Sequence, residues 1–268
     1  KNQMKKIQFI YILIVALAFT SCEKVIEVDT DGNNNTIVIE GNITNTPPPY
    51  FVKVTSSVAY NQSSVYPPVT NALVVITSDA GVRDTLTYTN NGLYRTNKII
   101  GTPGSTYTLN VTTNNIVYTA QSKMPNVVTL DSLRSIDLKF RNEVQYNVIP
   151  VYTDAQFFGN GYRFIQTING VQDKTYVVWN DNVNNGLVNQ RPIRTRDEDV
   201  KIKVGDLVKV EMRCIDENVY RYFYTLQELA GGGLGGGVTP TNPPNNISNG
   251  ALGVFSAHTT QQKSIIIK

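Results

Sequence analysis

The chain has 268 residues, 41% of them hydrophobic and 17% charged, with a formal net charge of +3. This length is enough for one large or two ordinary domains, and a charge so close to balance, with no Lys/Arg cluster, excludes the electrostatic footprint of a nucleic-acid binder. One histidine and two cysteines cannot supply a zinc cage or a recognisable hydrolase triad, so no metal, cofactor or catalytic residue is expected and the chain reads as non-enzymatic.

Met4, Lys5 and Lys6 open a positive segment, Ile7 to Phe19 form an apolar run, and Thr20-Ser21-Cys22 follows as a small-residue cleavage site. Residues 1–21 therefore read as a signal peptide, since the apolar run is too short for the roughly 20 residues of a membrane span. Phe19-Thr20-Ser21-Cys22 resembles a bacterial lipobox, which makes Cys22 the expected mature N-terminus and the carrier of fatty acyl chains such as palmitate. At about 0.8 kcal/mol for each buried methylene, several chains make such an anchor effectively permanent. Residues 22–35 are polar and Asn-rich, the composition of a flexible tether. Asp29, Asp31, Asn33, Asn35 and Glu40 fall at the ligand spacing of an EF-hand loop, but Asn34 stands where that loop needs Gly, so this stretch reads as a tether running into a strand.

From 36 to 125 short strands follow one another: Thr36 to Thr44, Tyr50 to Val58, Ala72 to Thr77, Val82 to Tyr88, Leu93 to Thr96, Thr106 to Thr112 and Ile116 to Gln121. This spacing predicts an all-β protein whose N-terminal domain is an Ig-like β-sandwich. Asn114-Asn115, between two alternating runs, predicts a tight hairpin because Asn tolerates positive φ.

A second β-rich domain with one short helix is expected over 126–268, starting where Ile136, Leu138 and Phe140 alternate with Asp137 and Lys139. Asn169-Gly170 predicts a hairpin between Tyr162 to Ile168 and Val171 to Trp179, and Gly205-Asp206 joins Val200 to Val204 with Leu207 to Ile215. Cys214 alternates with Val208, Val210 and Met212 and is read as a buried thiol; with Cys22 acylated it has no disulfide partner. Val219, Tyr222, Phe223, Leu226 and Leu229 then fall at helical spacing, with Asp216 placed as N-cap. Residues 231–249, rich in Gly, Pro and Asn, read as a long mobile loop, and Leu252 to Thr259 and Ser264 to Ile267 as terminal strands.

Ile37-Val-Ile-Glu-Gly-Asn-Ile-Thr44, Asn71-Ala-Leu-Val-Val-Ile76, Tyr107-Thr-Leu109, Tyr220-Arg-Tyr-Phe223 and Asn242-Pro-Pro-Asn-Asn-Ile-Ser-Asn-Gly-Ala-Leu-Gly-Val-Phe-Ser-Ala257 together span nearly the whole mature chain. In these segments it resembles the Bacteroidota lipoproteins catalogued as domain of unknown function 4249. The resemblance implies an outer-membrane lipoprotein, lipid-anchored on the surface or periplasmic face, that works with TonB-dependent transporters of the SusC type. It carries no catalytic or binding residues.

Four groups of side chains are candidates for more than structure. Asp84-Thr85-Leu86 and Asp131-Ser132-Leu133 match an acceptor pattern for O-linked glycans at Thr85 and Ser132. Leu234, Val238 and Pro240 are the apolar groups with which the 231–249 loop could contact a membrane partner. Arg191, Arg194 and Arg196, beside Asp197, Glu198 and Asp199, read as a solvated charged loop before an anion site. Trp179 and Tyr176 fit core or interface packing better than a sugar platform. The expected function is an accessory or partner-binding component of a transporter system, the alternative being an adhesin or carbohydrate-binding surface module.

Overall fold

Alternating burial along β1 (Ile37–Thr44), with Ile37, Ile39, Gly41 and Ile43 inward, sets the plan of the N-terminal half. The computed structural model describes residues 35–58, 65–140, 143–156, 159, 161–180, 186–195, 197, 199–230 and 242–268. Cys22, Leu234, Val238, Pro240, Arg196, Glu198 and the first half of the Asp29 to Glu40 stretch, residues 29–34, lie outside them. β1 is followed by β2 (Phe51–Ser56), β3 (Leu73–Ser78), β4 (Arg83–Thr85), β5 (Thr87–Tyr88), β6 (Leu93–Arg95), β7 (Thr106–Thr113) and β8 (Ile116–Lys123). β1, β2, β6 and β5 lie side by side in one sheet, and β4, β3, β7 and β8 form another. Ile39, Ile43, Val52, Val54 and Phe255 of the first meet Val74, Ile76, Leu109 and Val111 of the second in a sandwich-like core.

Two local expectations resolve in instructive ways. Asn114 and Asn115 adopt φ of 50° and 61° between Thr113 and Ile116, the left-handed values a two-residue hairpin requires. The single strand expected over Val82 to Tyr88 is instead two. At the buried Leu86, whose N–H donates to the Val74 carbonyl at 2.9 Å, the chain leaves one sheet and enters the other.

The C-terminal half contains β9 (Ser132–Phe140), β10 (Glu143–Val151), β11 (Gly161–Ile168), β12 (Val171–Gln172), β13 (Val177–Asn180), β14 (Leu207–Ile215), α1 (Glu217–Ala230) and β15 (Leu252–Ile266). The Asn169-Gly170 hairpin forms as expected, with φ of 48° and 88°. The strand expected to continue to Trp179 breaks at Asp173, a buried carboxylate that accepts the Thr175 N–H at 2.8 Å and turns the chain. Val200 and Ile202 are buried, but no strand forms there; the alternation records burial without a ladder. The helix begins where expected, with the Val219 N–H donating to Asp216 Oδ1 at 3.0 Å, and seats Val219 and Phe223 against Val178, Ile215 and Val254.

The two terminal strands expected are one strand of 15 residues, and it organises the whole fold. Leu252 to His258 pair in parallel with β1, and Thr259 to Ile266 pair antiparallel with β14. The polar stretch that suggested a break runs through the ladder because Thr260 and Gln262 donate to the Glu211 carboxylate on β14. Gly253, at φ 99°, lies so close to β1 that a Cβ would sit 2.1 Å from the Ile39 carbonyl oxygen. Residues 34–268 form one compact unit in which the sheet runs across the boundary expected at residue 125, while Met124 belongs to one core and Leu130 to the next.

Residues 242–249 are tied to the neighbouring strands. Asn246 donates to the Gln121 and Phe255 carbonyls, Asn249 donates to Val117, and Ile247 is buried in the first core. With Asn245, which donates to the Ala251 carbonyl, three asparagine side chains and one apolar anchor thus replace the ladder that a loop lacks. Among the described residues no helix is long and apolar enough to cross a membrane.

Candidate functional site

β13, the segment from Asn189 to Arg194 and the last turns of α1 enclose a cavity of about 310 Å3 lined by Thr175, Tyr176, Val177, Trp179, Arg191, Pro192, Arg194 and Gln227. Trp179 is held from below by Phe164, the ring centroids 4.4 Å apart, and is 5% exposed. The Arg191 guanidinium lies over its indole, 5.0 Å from the ring centroid. A guanidinium placed this way is attracted by the ring's negative face and keeps its in-plane N–H groups for another partner.

Asn189 positions Arg191. It is buried, its Nδ2 donates to the Pro150 carbonyl at 2.7 Å and to the Arg191 carbonyl at 3.3 Å, and its Oδ1 accepts the Arg191 N–H at 3.1 Å. Ile193 N–H then donates to the Val148 carbonyl at 2.8 Å, so the segment is fixed to β10 at two points. On the far wall, Gln227 Oε1 accepts the Val178 N–H at 2.9 Å. Because that partner can only donate, the amide is oriented, and the Gln227 NH2 group is turned from the strand as a donor for the cavity.

Two acidic residues of the charged loop, Asp197 and Asp199, face Lys174. Asp197 Oδ2 accepts the Lys174 N–H at 3.1 Å, and Asp199 lies 3.5 Å from Lys174 Nζ. Asp173 takes the Thr195 hydroxyl and the Thr175 N–H. Among the described residues neither Arg191 nor Arg194 forms an ion pair. Two groups read separately in the sequence, the arginines and the Trp179–Tyr176 pair, therefore line one pocket. Gln227 and Thr175 complete it; no sequence motif marks either.

The other candidates fall apart from this pocket. His258 is 2% exposed, its Nδ1 shares a hydrogen bond of 2.9 Å with Ser256 Oγ, and Ser256 is buried too. Burial, with the Arg213 charge adding, pushes the His258 pKa down to about 3, so the ring is neutral and out of reach of a substrate. Cys214 is buried as expected, and burial raises its thiol pKa. Among the described residues no group of three His, Cys, Asp or Glu could hold a metal ion. A second cavity, of about 380 Å3, lies between Lys123 to Val128 and the start of α1, but the Asp216 carboxylate on its wall is already engaged by Ser122 and the Val219 N–H. Thr85 and Ser132 are both exposed at strand positions, far apart in sequence and in different sheets.

Residues 23–264, which include every wall of the pocket, match a family model described as Domain of unknown function (DUF4249). The chain belongs to this family. The match to DUF4249 extends over both cores and the shared strand β15. No curated protein matches the chain.

Proposed function

We propose that this DUF4249 protein is a non-catalytic binding lipoprotein of the outer membrane, anchored through acylated Cys22, that captures a small polar ligand beside a TonB-dependent transporter. The observation that supports ligand capture is the Arg191–Trp179 pair at the wall of a cavity that Arg194 and Gln227 also line. The signal segment ending at Cys22 supports the anchor. A neutral carbohydrate module has less support, because Arg191 covers the ring on which a sugar would stack.

The test uses the full chain expressed in a Bacteroidota host. Wild-type protein should stay with membranes through a high-salt wash and co-purify a TonB-dependent transporter in mild detergent, while Cys22→Ala should appear in the soluble fraction. Membrane retention of Cys22→Ala would refute the anchor, and recovery of no transporter with wild type would refute the partnership. Contact through Leu234, Val238 and Pro240 is part of the same proposal. Replacing residues 231–241 with a four-residue linker should reduce transporter recovery without altering melting; the replacement must stop there because Asn245, Asn246 and Ile247 hold β8 to β15.

A further inference from the structure

Resting on the reading of the Trp179 cavity as the ligand site, we propose that what it recognises is an oxyanion, a carboxylate or phosphate group borne by a small hydroxylated molecule. Arg191 makes the first contact in this account. Its guanidinium lies over the indole, and the donors of a guanidinium lie in its own plane, the geometry that meets two oxygens of a carboxylate or phosphate at once. The Arg191 backbone is also fixed before any ligand arrives, since Asn189 accepts its N–H and donates to its carbonyl. Less freedom is then lost on binding.

Charge balance points the same way. Asp197 and Asp199 turn to Lys174, and Asp173 to Thr195 and Thr175, which leaves two guanidinium groups on one cavity with no carboxylate from the described residues. Two like charges at a concave wall favour an anionic occupant over a neutral one. Gln227 adds a neutral donor suited to a hydroxyl or a further anion oxygen. A neutral sugar would need the indole face, and Trp179, 5% exposed beneath Arg191, does not offer it.

Size limits the rest of the molecule. About 310 Å3 is at the lower end of small-ligand sites, room for one sugar acid or sugar phosphate.

Trp179 is the chain's one tryptophan, so tryptophan-selective fluorescence reports this cavity alone. The full chain in detergent would be titrated with galacturonate, glucose 6-phosphate and neutral galactose. The expected result is saturable quenching by at least one of the two anions, at a concentration tenfold or more below any response to galactose. The responding anion identifies the source, carboxylate or phosphate. Arg191→Lys, which keeps a charge but removes the planar fork, should weaken that binding at least tenfold with unchanged melting. Arg194→Ala serves as the second variant if Arg191→Lys melts early, and it should weaken the same anion. Galactose binding as tightly as galacturonate, insensitive to both variants, would overturn the oxyanion while leaving the cavity as a ligand site. Silence from all three probes would overturn the inference together with the reading of the cavity on which it rests.

Discussion

In the N-terminal half the space between the sheets is filled by Ile39, Ile43, Val52, Val54, Val74, Ile76 and Leu109, whereas the C-terminal core stacks Tyr152, Tyr162, Phe164 and Trp179 and also buries Asp154, Asp173, Gln166 and Asn189. Both halves draw on the same strand, β15. The difference shows two uses of burial. Branched aliphatic side chains fit a pleated surface and specify strand register, which is all that the sandwich demands. Buried polar groups instead fix irregular backbone: Asn189 holds the Arg191 segment, and Asp173 turns the chain between β12 and β13. Asp84 does the same for residues 97–99 in the N-terminal half, but only Asn189 does so beside the pocket.

The largest expected effect lies where the halves join. Gly253→Ala would place a methyl against the Ile39 carbonyl at a φ that L-residues avoid, and should cost more than about 4 kcal/mol in urea unfolding. A loss below ~1 kcal/mol would show that β15 can shift on β1. Next come Phe255→Ala in the first core and Phe164→Ala in the second, each expected to cost about 3–5 kcal/mol. Only Phe164→Ala should also change Trp179 emission, since Phe164 supports that ring. If both variants alter the emission equally, the two cores are not independent.

A smaller effect separates two carboxylates by their response to pH. Burial pushes Asp84 upward, but the backbone N–H groups of Lys98, Ile99 and Asn97 outweigh it and hold the carboxyl below its ordinary value. Its contribution is therefore complete above the unfolded value of about 4 and is lost as pH falls through the lower folded value. Asp84→Asn should cost ~1–3 kcal/mol at pH 7 and flatten the acid limb of the stability curve. Asp216 has the opposite sign: burial raises its pKa despite hydrogen bonds from Ser122 and Val219, so its stabilising contribution is present at acid pH and fades as pH rises through the folded value. Asp216→Asn keeps a good N-cap and should change stability by less than about 1 kcal/mol, removing a downward slope above about pH 4. Equal slopes in the two variants would contradict the contrast.

What was legible in the sequence was local. Asn114-Asn115 and Asn169-Gly170 signal positive φ through their own chemistry, and Asp216 precedes a run of helical period, so two hairpins and the helix could be read without knowing what they pack against. The pairing of β1 with β15 spans about two hundred residues and has no local signal. The pocket was illegible for a related reason. Arg191 and Trp179 are twelve positions apart on different segments, and nothing in the charged run of residues 191–199 tells that Asp197 and Asp199 face Lys174 while Arg191 faces Trp179. The Asn-rich stretch after 241 misled in the opposite direction, because the same asparagines that mark loops also tie Asn246 and Asn249 to neighbouring strands.

The partner exchange along β15 also bears on biogenesis. Residues 252–258 complete the N-terminal sheet and residues 259–266 the C-terminal one, so neither can close before this stretch of chain has been synthesised. Contacts of such sequence separation form slowly. A chain emerging in order therefore keeps one edge of β1 and one edge of β14 unpaired until almost all of it has been made, a state vulnerable to premature aggregation. Closure of β15 is then the step that commits the chain to its native state.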